Sequence, residues 1–166
     1  MADEILLRAA RLIKLHETKD PFRIARAEGA EIVFGDLGAM KGMYKHMKRN
    51  RFIVINNTLD EYTQRLVCAH ELGHDQFHRA LADNRWLREF MIYNMKTRPE
   101  YEANVFAAEL LLPDDEVIEL VENGCDIQQI AGEMYADINL VALKFGTLAK
   151  KGYDVRQFEF RDNFLR

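Results

Sequence analysis

The amino-acid sequence predicts an α+β architecture, with a small, mostly antiparallel sheet packed on one helix and further helices toward the C-terminus. Three observations lead there. Apolar residues recur at helical spacing up to about residue 29, short runs broken by Gly-containing or basic polar turns follow to about residue 57, and helical spacing then returns with capping residues ahead of its segments. Of the 166 residues, 48% are apolar and the charged ones are spread along the chain, so the chain reads as globular rather than disordered. That length suits one compact domain with a real core.

In chain order, Ile5, Leu6, Ala9, Leu12, Ile13 and His16 form the stripe of a first helix. Asp20-Pro21 reads as a cap followed by proline at the first position of a second short helix, which Gly29 ends. EIVFGDL, GMYKHM and RFIVINN read as strands. Thr58 is positioned to cap the next helix, Leu59 to His78. Turning about 100° per residue puts Leu66, Val67, His74 and Phe77 within about 60° of His70, so both histidines point inward. The stretch NRWLREFMIYNM is rich in aromatics and methionine; Met40, Met43, Met47 and the Met91 to Met95 region offer an adaptable peptide-binding surface, although such clusters more often form core. A helix from Pro99 to Leu112 is stopped by Pro113. Asp114 and Asp115 begin another, to Glu122, ended by Asn123-Gly124. Two more, Ile127 to Tyr135 and Ile138 to Lys151, follow the caps Asp126 and Asp137. The expected organisation is a core over residues 1–124 and a C-terminal helical extension, 125–166, packed on the same domain.

Composition narrows the function. A formal net charge of -4 gives no electrostatic footprint for nucleic acid, so direct nucleic-acid binding is not expected. Arg8, Arg11 and Lys14 interrupt the apolar residues of the N-terminus, unlike a signal peptide, and no apolar run nears the roughly 20 residues that span a membrane. A soluble, cytoplasmic protein is expected, with Cys68 and Cys125 reduced and structural.

The chemistry sits at His70-Glu71-Leu72-Gly73-His74. Two imidazoles one helical turn apart converge on one zinc ion at about 2.1 Å. Glu71, beside them, is positioned to take a proton from water and pass it to a leaving amine, as peptide hydrolysis requires. Gly73 forgoes roughly 1 kcal/mol of helix propensity, which suggests that something packs closely against it.

Two histidines leave zinc short of a third ligand. On a continuous helix His78 lies about 12 Å along the axis from His70, too far to share one ion. The extended pattern with a third histidine fails too, because Phe77 and Ala80 stand where its Gly and His belong. The downstream helix offers Glu100, with Ala103, Asn104, Ala107 and Leu111 within about 60° of it and Glu102 and Glu109 on the opposite face, Glu102 looking out. An inward carboxylate on an apolar stripe is costly unless paired or bound to metal. The competing reading pairs Glu100 with a basic residue. Asn104 is placed to hydrogen-bond a ligating histidine.

The stretches FIVINNTLDEYTQRLVCAHELGHDQFH and PEYEANVFAAELLLP resemble, in order and separation, the ImmA/IrrE metallopeptidases of phages, mobile elements and bacteria. The likeness covers most of the chain and implies a zincin-like fold with Zn2+ as cofactor. In related zincins the carboxylate ligand begins an E-x-x-A-(D/N) run; Glu100-Tyr101-Glu102-Ala103-Asn104 fits, favouring Glu100. His78 also recurs in the family's pattern, where a supporting role is implied.

The resemblance further implies an anti-repressor, a site-specific endopeptidase that cuts a helix-turn-helix repressor. Some relatives carry a DNA-binding domain ahead of the sheet; with a first strand by about Glu31, the repressor is expected to be a separate protein. An extended peptide would add to an exposed sheet edge, GMYKHM or RFIVINN, and be cut in a flexible segment. The C-terminal helix pair superficially suggests a helix-turn-helix, but Lys144, Lys150 and Lys151 are too few for a DNA-reading head, so packing or repressor recognition is expected. Tyr93 and Tyr101 are candidate oxyanion stabilisers. The alternative is a regulator that keeps the metal for structure and controls a repressor by binding alone; three protein ligands, leaving one position open, favour the enzyme. His and carboxylate ligands also accept divalent ions other than zinc.

Overall fold

A computed structural model describes residues 2–83, 86–89 and 96–155; Tyr93 and the Met91 to Met95 region lie outside them. Contacts divide the chain into two compact units, Met1–Leu111 and Leu112–Arg166.

The first unit holds α1 (Ala2–His16), α2 (Pro21–Ala27), β1 (Glu31–Gly35), β2 (Gly42–Met47), β3 (Asn50–Asn56), α3 (Glu61–Phe77), α4 (Arg79–Ala82), β4 (Leu87–Glu89) and α5 (Arg98–Leu111). On α1 the stripe Ile5, Ala9 and Leu12 is buried while Leu7 and Leu15 are exposed. Asp20 caps α2 by accepting from the Phe22 N–H at 2.9 Å, with Pro21 in the first turn, and the chain leaves through Gly29 at φ +86°.

The sheet is mixed, in the order β1-β3-β2-β4. β1 runs parallel to β3, and β2 runs antiparallel to both β3 and β4. This corrects the expected edges: GMYKHM and RFIVINN form the two inner strands, while among the described residues β1 and β4 lie at the rims. Local alternation reports which face of a strand is buried and carries no information on strand order. β4, three residues long, was hidden inside the aromatic run. Tyr44, Ile53 and Ile55 are fully buried, as are Val67 and Leu72 of α3, which packs against β2, β3 and α5.

Helix α3 departs from expectation at both ends. Its cap is Asp60, whose side chain accepts from the Thr63 N–H at 2.8 Å; Thr58 instead donates to Asn56 at 2.8 Å. At the other end His78 has left helical geometry (φ -126°, ψ 22°). Glu109, expected on an outer face of α5, is buried.

The second unit holds α6 (Asp114–Glu122), α7 (Ile127–Glu133) and α8 (Ile138–Lys150). Asp126 caps α7 in a capping box with Gln129, and Asp137 caps α8. Val117, Ile130, Leu140, Val141, Phe145 and Leu148 are buried. Lys144 is fully buried and pairs with Asp114, which Lys151 also reaches. Two of the three lysines on this helical stretch therefore serve an internal ion pair. Cys68 and Cys125 are free thiols. Among the described residues no helix is long and apolar enough to cross a membrane.

Candidate metal centre

His70 and His74 stand one turn apart on the buried face of α3, 0% and 2% exposed, with their Nε2 atoms 3.1 Å from each other. Glu100, in the first turn of α5, brings Oε2 to 3.2 Å from His70 Nε2 and 3.6 Å from His74 Nε2. Ligand atoms of these three residues all lie within 4.8 Å of one another. Four ligands about 2.1 Å from a tetrahedral ion stand about 3.4 Å apart, so the three separations match the edges of one such site. Two imidazole nitrogens and a carboxylate oxygen are also the donor types that divalent ions of this kind take. The residues fit a metal ion.

Glu71 is 1% exposed, and neither carboxylate oxygen has a hydrogen-bond partner among the described residues. β2 passes directly over it: a Cβ built on Gly42 would stand 2.9 Å from Glu71 Oε1. Burial pushes the Glu71 carboxyl up to about 8, the charges of Glu89 and Glu100 push the same way, and His70 opposes them. Such a group holds or releases a proton near neutrality.

Each histidine is oriented through its other ring nitrogen. His70 Nδ1–H donates to Asn104 Oδ1 at 3.0 Å, which turns Nε2 toward Glu100. His74 Nδ1 lies 3.0 Å from His78 Nδ1, and His78 Nε2 lies 3.1 Å from Glu102 Oε2. Arg98 donates to the other oxygen of Glu102 at 2.7 Å. With protein atoms alone, burial disfavours charge on both rings. Contacts with Glu100 and Glu89 overcome it at His70, raised to about 10, whereas His74 falls to about 4 despite its contact with Glu100.

Two acidic residues at this centre escaped the sequence reading. Glu89, buried on β4, brings Oε2 to 3.2 Å from His70 Nε2. Glu102, expected to look out, is turned to His78 with its side chain only 12% exposed. The wheel left Glu102 facing solvent, whereas His78, leaving α3, fills that space. Leu87 and Glu89 share a face by strand alternation, a signal readable only once β4 is recognised. Tyr101 is 37% exposed on α5.

Comparison with known proteins places the chain in a family. Residues 25–153 match the Peptidase_M78 family, described as the IrrE N-terminal-like domain. An "Uncharacterized immunity region protein 2" of Bacillus phage phi105 is 40% identical over 112 residues, covering 66% of this chain and 70% of that protein. "Metallopeptidase ImmA" of Bacillus subtilis (strain 168) is 32% identical over 107 residues, covering 62% of this chain and 60% of that protein. The family match takes in both α3, with its paired histidines, and α5, with its carboxylate, and the chain belongs to the Peptidase_M78 family of metallopeptidases.

Proposed function

We propose that the chain is a zinc-dependent, site-specific endopeptidase whose metal is held by His70, His74 and Glu100 and whose proton carrier is Glu71. The observation that carries this reading is Glu71 itself, a buried carboxylate with neither oxygen partnered among the described residues, next to a convergent donor set. A buried carboxylate without a partner is costly, and a catalytic task accounts for it. When bound, the dication supplies Lewis-acid chemistry, polarising the scissile carbonyl and acidifying water. Glu71 takes the proton of the attacking water and returns it to the nitrogen of the departing amine. Asn104 holds the His70 ring so that Nε2 faces the centre. The burial of His70, Glu71 and His74 keeps bulk water from competing.

A protein substrate suits a peptidase, and the phage relative is named for an immunity region. We take the substrate to be a separate helix-turn-helix repressor, which makes the protein an anti-repressor. β4 carries Glu89 to His70, so this strand borders the centre, and among the described residues it pairs only with β2. An extended segment of the repressor would add there as a further strand, with main-chain hydrogen bonds supplying affinity. Cleavage then falls in a linker or locally unfolded segment. In the C-terminal helices Lys144 and Lys151 are both engaged by Asp114.

The test is Glu71→Gln, with metal measured by elemental analysis and cleavage followed by co-expression with candidate repressors. About one zinc retained with cleavage abolished supports the mechanism. Normal cleavage by the variant removes Glu71 from it, and a wild type that takes up no metal on reconstitution removes the enzyme reading altogether.

A further inference from the structure

The hydrogen-bond chain beyond His74 has a direction, and Glu102 sets it. An ionised carboxylate only accepts, so the hydrogen between His78 and Glu102 resides on His78 Nε2. A neutral His78 is then bare at Nδ1 and accepts from His74 Nδ1–H across 3.0 Å. With its hydrogen on Nδ1, His74 presents the lone pair of Nε2 to His70 and Glu100. The reverse direction would aim a His74 Nε2–H into the centre and leave no lone pair there for a metal. Arg98 supports the order by donating to Glu102 Oε1, so the two donors occupy the two oxygens of one carboxylate.

We infer that Glu102 is a positioning residue for the metal centre: acting through His78, it fixes the His74 tautomer whose Nε2 is free to bind a divalent ion. The inference rests on the reading of His74 as a ligand. It gives α5 three coordinated tasks, since Glu100 faces the centre, Asn104 orients His70 and Glu102 orients His74 through an intermediate ring. It also explains the buried His78, which geometry keeps from the ion itself.

Glu102→Gln tests it in the full-length protein. A glutamine has one accepting oxygen, and Arg98, always a donor, claims it; the amide NH2 then faces His78 Nε2. That demands a bare Nε2, moves the His78 hydrogen to Nδ1 and turns the chain around. Zn2+ affinity is measured by competition with a chromophoric chelator, and the tautomers by long-range 1H–15N correlation spectra of the histidines in the metal-free protein. The expected result for Glu102→Gln is a His74 hydrogen moved from Nδ1 to Nε2 and a Zn2+ affinity lowered by about 10- to 100-fold, the usual scale for losing an outer partner of a ligating histidine. Adding Arg98→Ala frees the amide to rotate and restores most of the affinity, which a merely structural role for Glu102 would not do. A Glu102→Gln protein that binds Zn2+ as the wild type does, with His74 still carrying its hydrogen on Nδ1, overturns the inference and leaves the ligand reading intact. A wild type without measurable Zn2+ affinity overturns the ligand reading, and the inference with it.

Discussion

Gly73 of α3 lies directly against Ala103 of α5: a Cβ added at Gly73 would stand 3.0 Å from Ala103 Cα, 3.2 Å from its carbonyl oxygen and 3.3 Å from its Cβ. Most of those neighbours are backbone and cannot swing aside. The contact sets the approach of the helix bearing both histidines to the helix bearing Glu100 and Asn104. Gly73→Ala gains about 1 kcal/mol of helix propensity and loses about 1–3 kcal/mol to overpacking. The expected outcome is a lower melting temperature together with weaker metal binding, because Ala103 sits between Glu100 and Asn104. A variant as stable as wild type with unchanged Zn2+ affinity would show that the helices separate without consequence.

Gly42 plays the matching part on the sheet. Its added Cβ would overlap Val67 Cγ1 and stand 2.9 Å from Glu71 Oε1 and 3.3 Å from Val54 O. The Val67 overlap is the tightest and a β-branched side chain is stiff, so β2 and α3 must shift apart there, and the flexible Glu71 carboxylate is pushed as well. Gly42→Ala is expected to displace Glu71 and cost about 1–3 kcal/mol of stability. Peptidase activity should fall far more than metal content, which elemental analysis and a cleavage assay on one preparation would separate.

Proximity of carboxylates gives the metal-free protein a pH signature. Glu71 is raised from 4.5 to about 8 by burial, with Glu89 and Glu100 assisting. A raised carboxyl contributes stability that is complete below its unfolded value and is lost as pH climbs to the folded one. On this account the metal-free protein loses stability between about pH 4.5 and pH 8; His74, lowered from 6.5 to about 4, works the other way below pH 6.5 and offsets the early part, whereas His70, raised from 6.5 to about 10, adds to the decline above it. Glu71→Gln should flatten the lower part, and Glu89→Gln should move it to lower pH by removing one assisting charge. Denaturant melts in the presence of chelator, repeated across that range, would refute the assignment by showing the same slope in wild type and Glu71→Gln.

What the sequence disclosed and what it withheld divide along one physical line. The rotation per residue in a helix is a local property, so the inward aim of His70 and His74, the shared face of Glu100 and Asn104 and the close packing at Gly73 were all readable. His78 and Glu102 meet because α3 unwinds at His78 and α5 crosses nearby, a tertiary event with no periodic trace. Glu89 reaches His70 only because Leu87 to Glu89 pairs with β2, and three residues carry too little alternation to announce a strand. The sheet order was withheld for the same reason. Residue patterns disclose faces, whereas neighbours are decided by long-range pairing.

Asp75 follows His74 in the chain and anchors the buried side of the first unit. Its carboxylate is 0% exposed and accepts from Tyr44 O–H at 2.8 Å, Gln76 Nε2 at 2.8 Å, and Arg51 and Arg79 each at 3.1 Å. The Tyr44 hydroxyl is driven strongly upward, first by burial and then by the Asp75 charge, so it remains a donor at any working pH. Removing the carboxylate takes the charged partner of Arg51, which keeps only the Glu28 carbonyl among the described residues, and the acceptor of the Tyr44 hydroxyl together, and loss of one partner of a buried ion pair costs about 3–5 kcal/mol. Tyr44→Phe removes one neutral donor and leaves the charged ones in place, a loss of about 1.5–3 kcal/mol for a hydrogen bond to a charged group. Asp75→Ala should therefore be much the less stable of the two in denaturant unfolding. Because the Tyr44 hydroxyl bonds to Asp75 and not to the histidines, Tyr44→Phe should keep wild-type Zn2+ affinity. A Tyr44→Phe protein that folds normally but binds Zn2+ markedly more weakly would mean that this network reaches the metal centre, and that the separation drawn between scaffold and site is wrong.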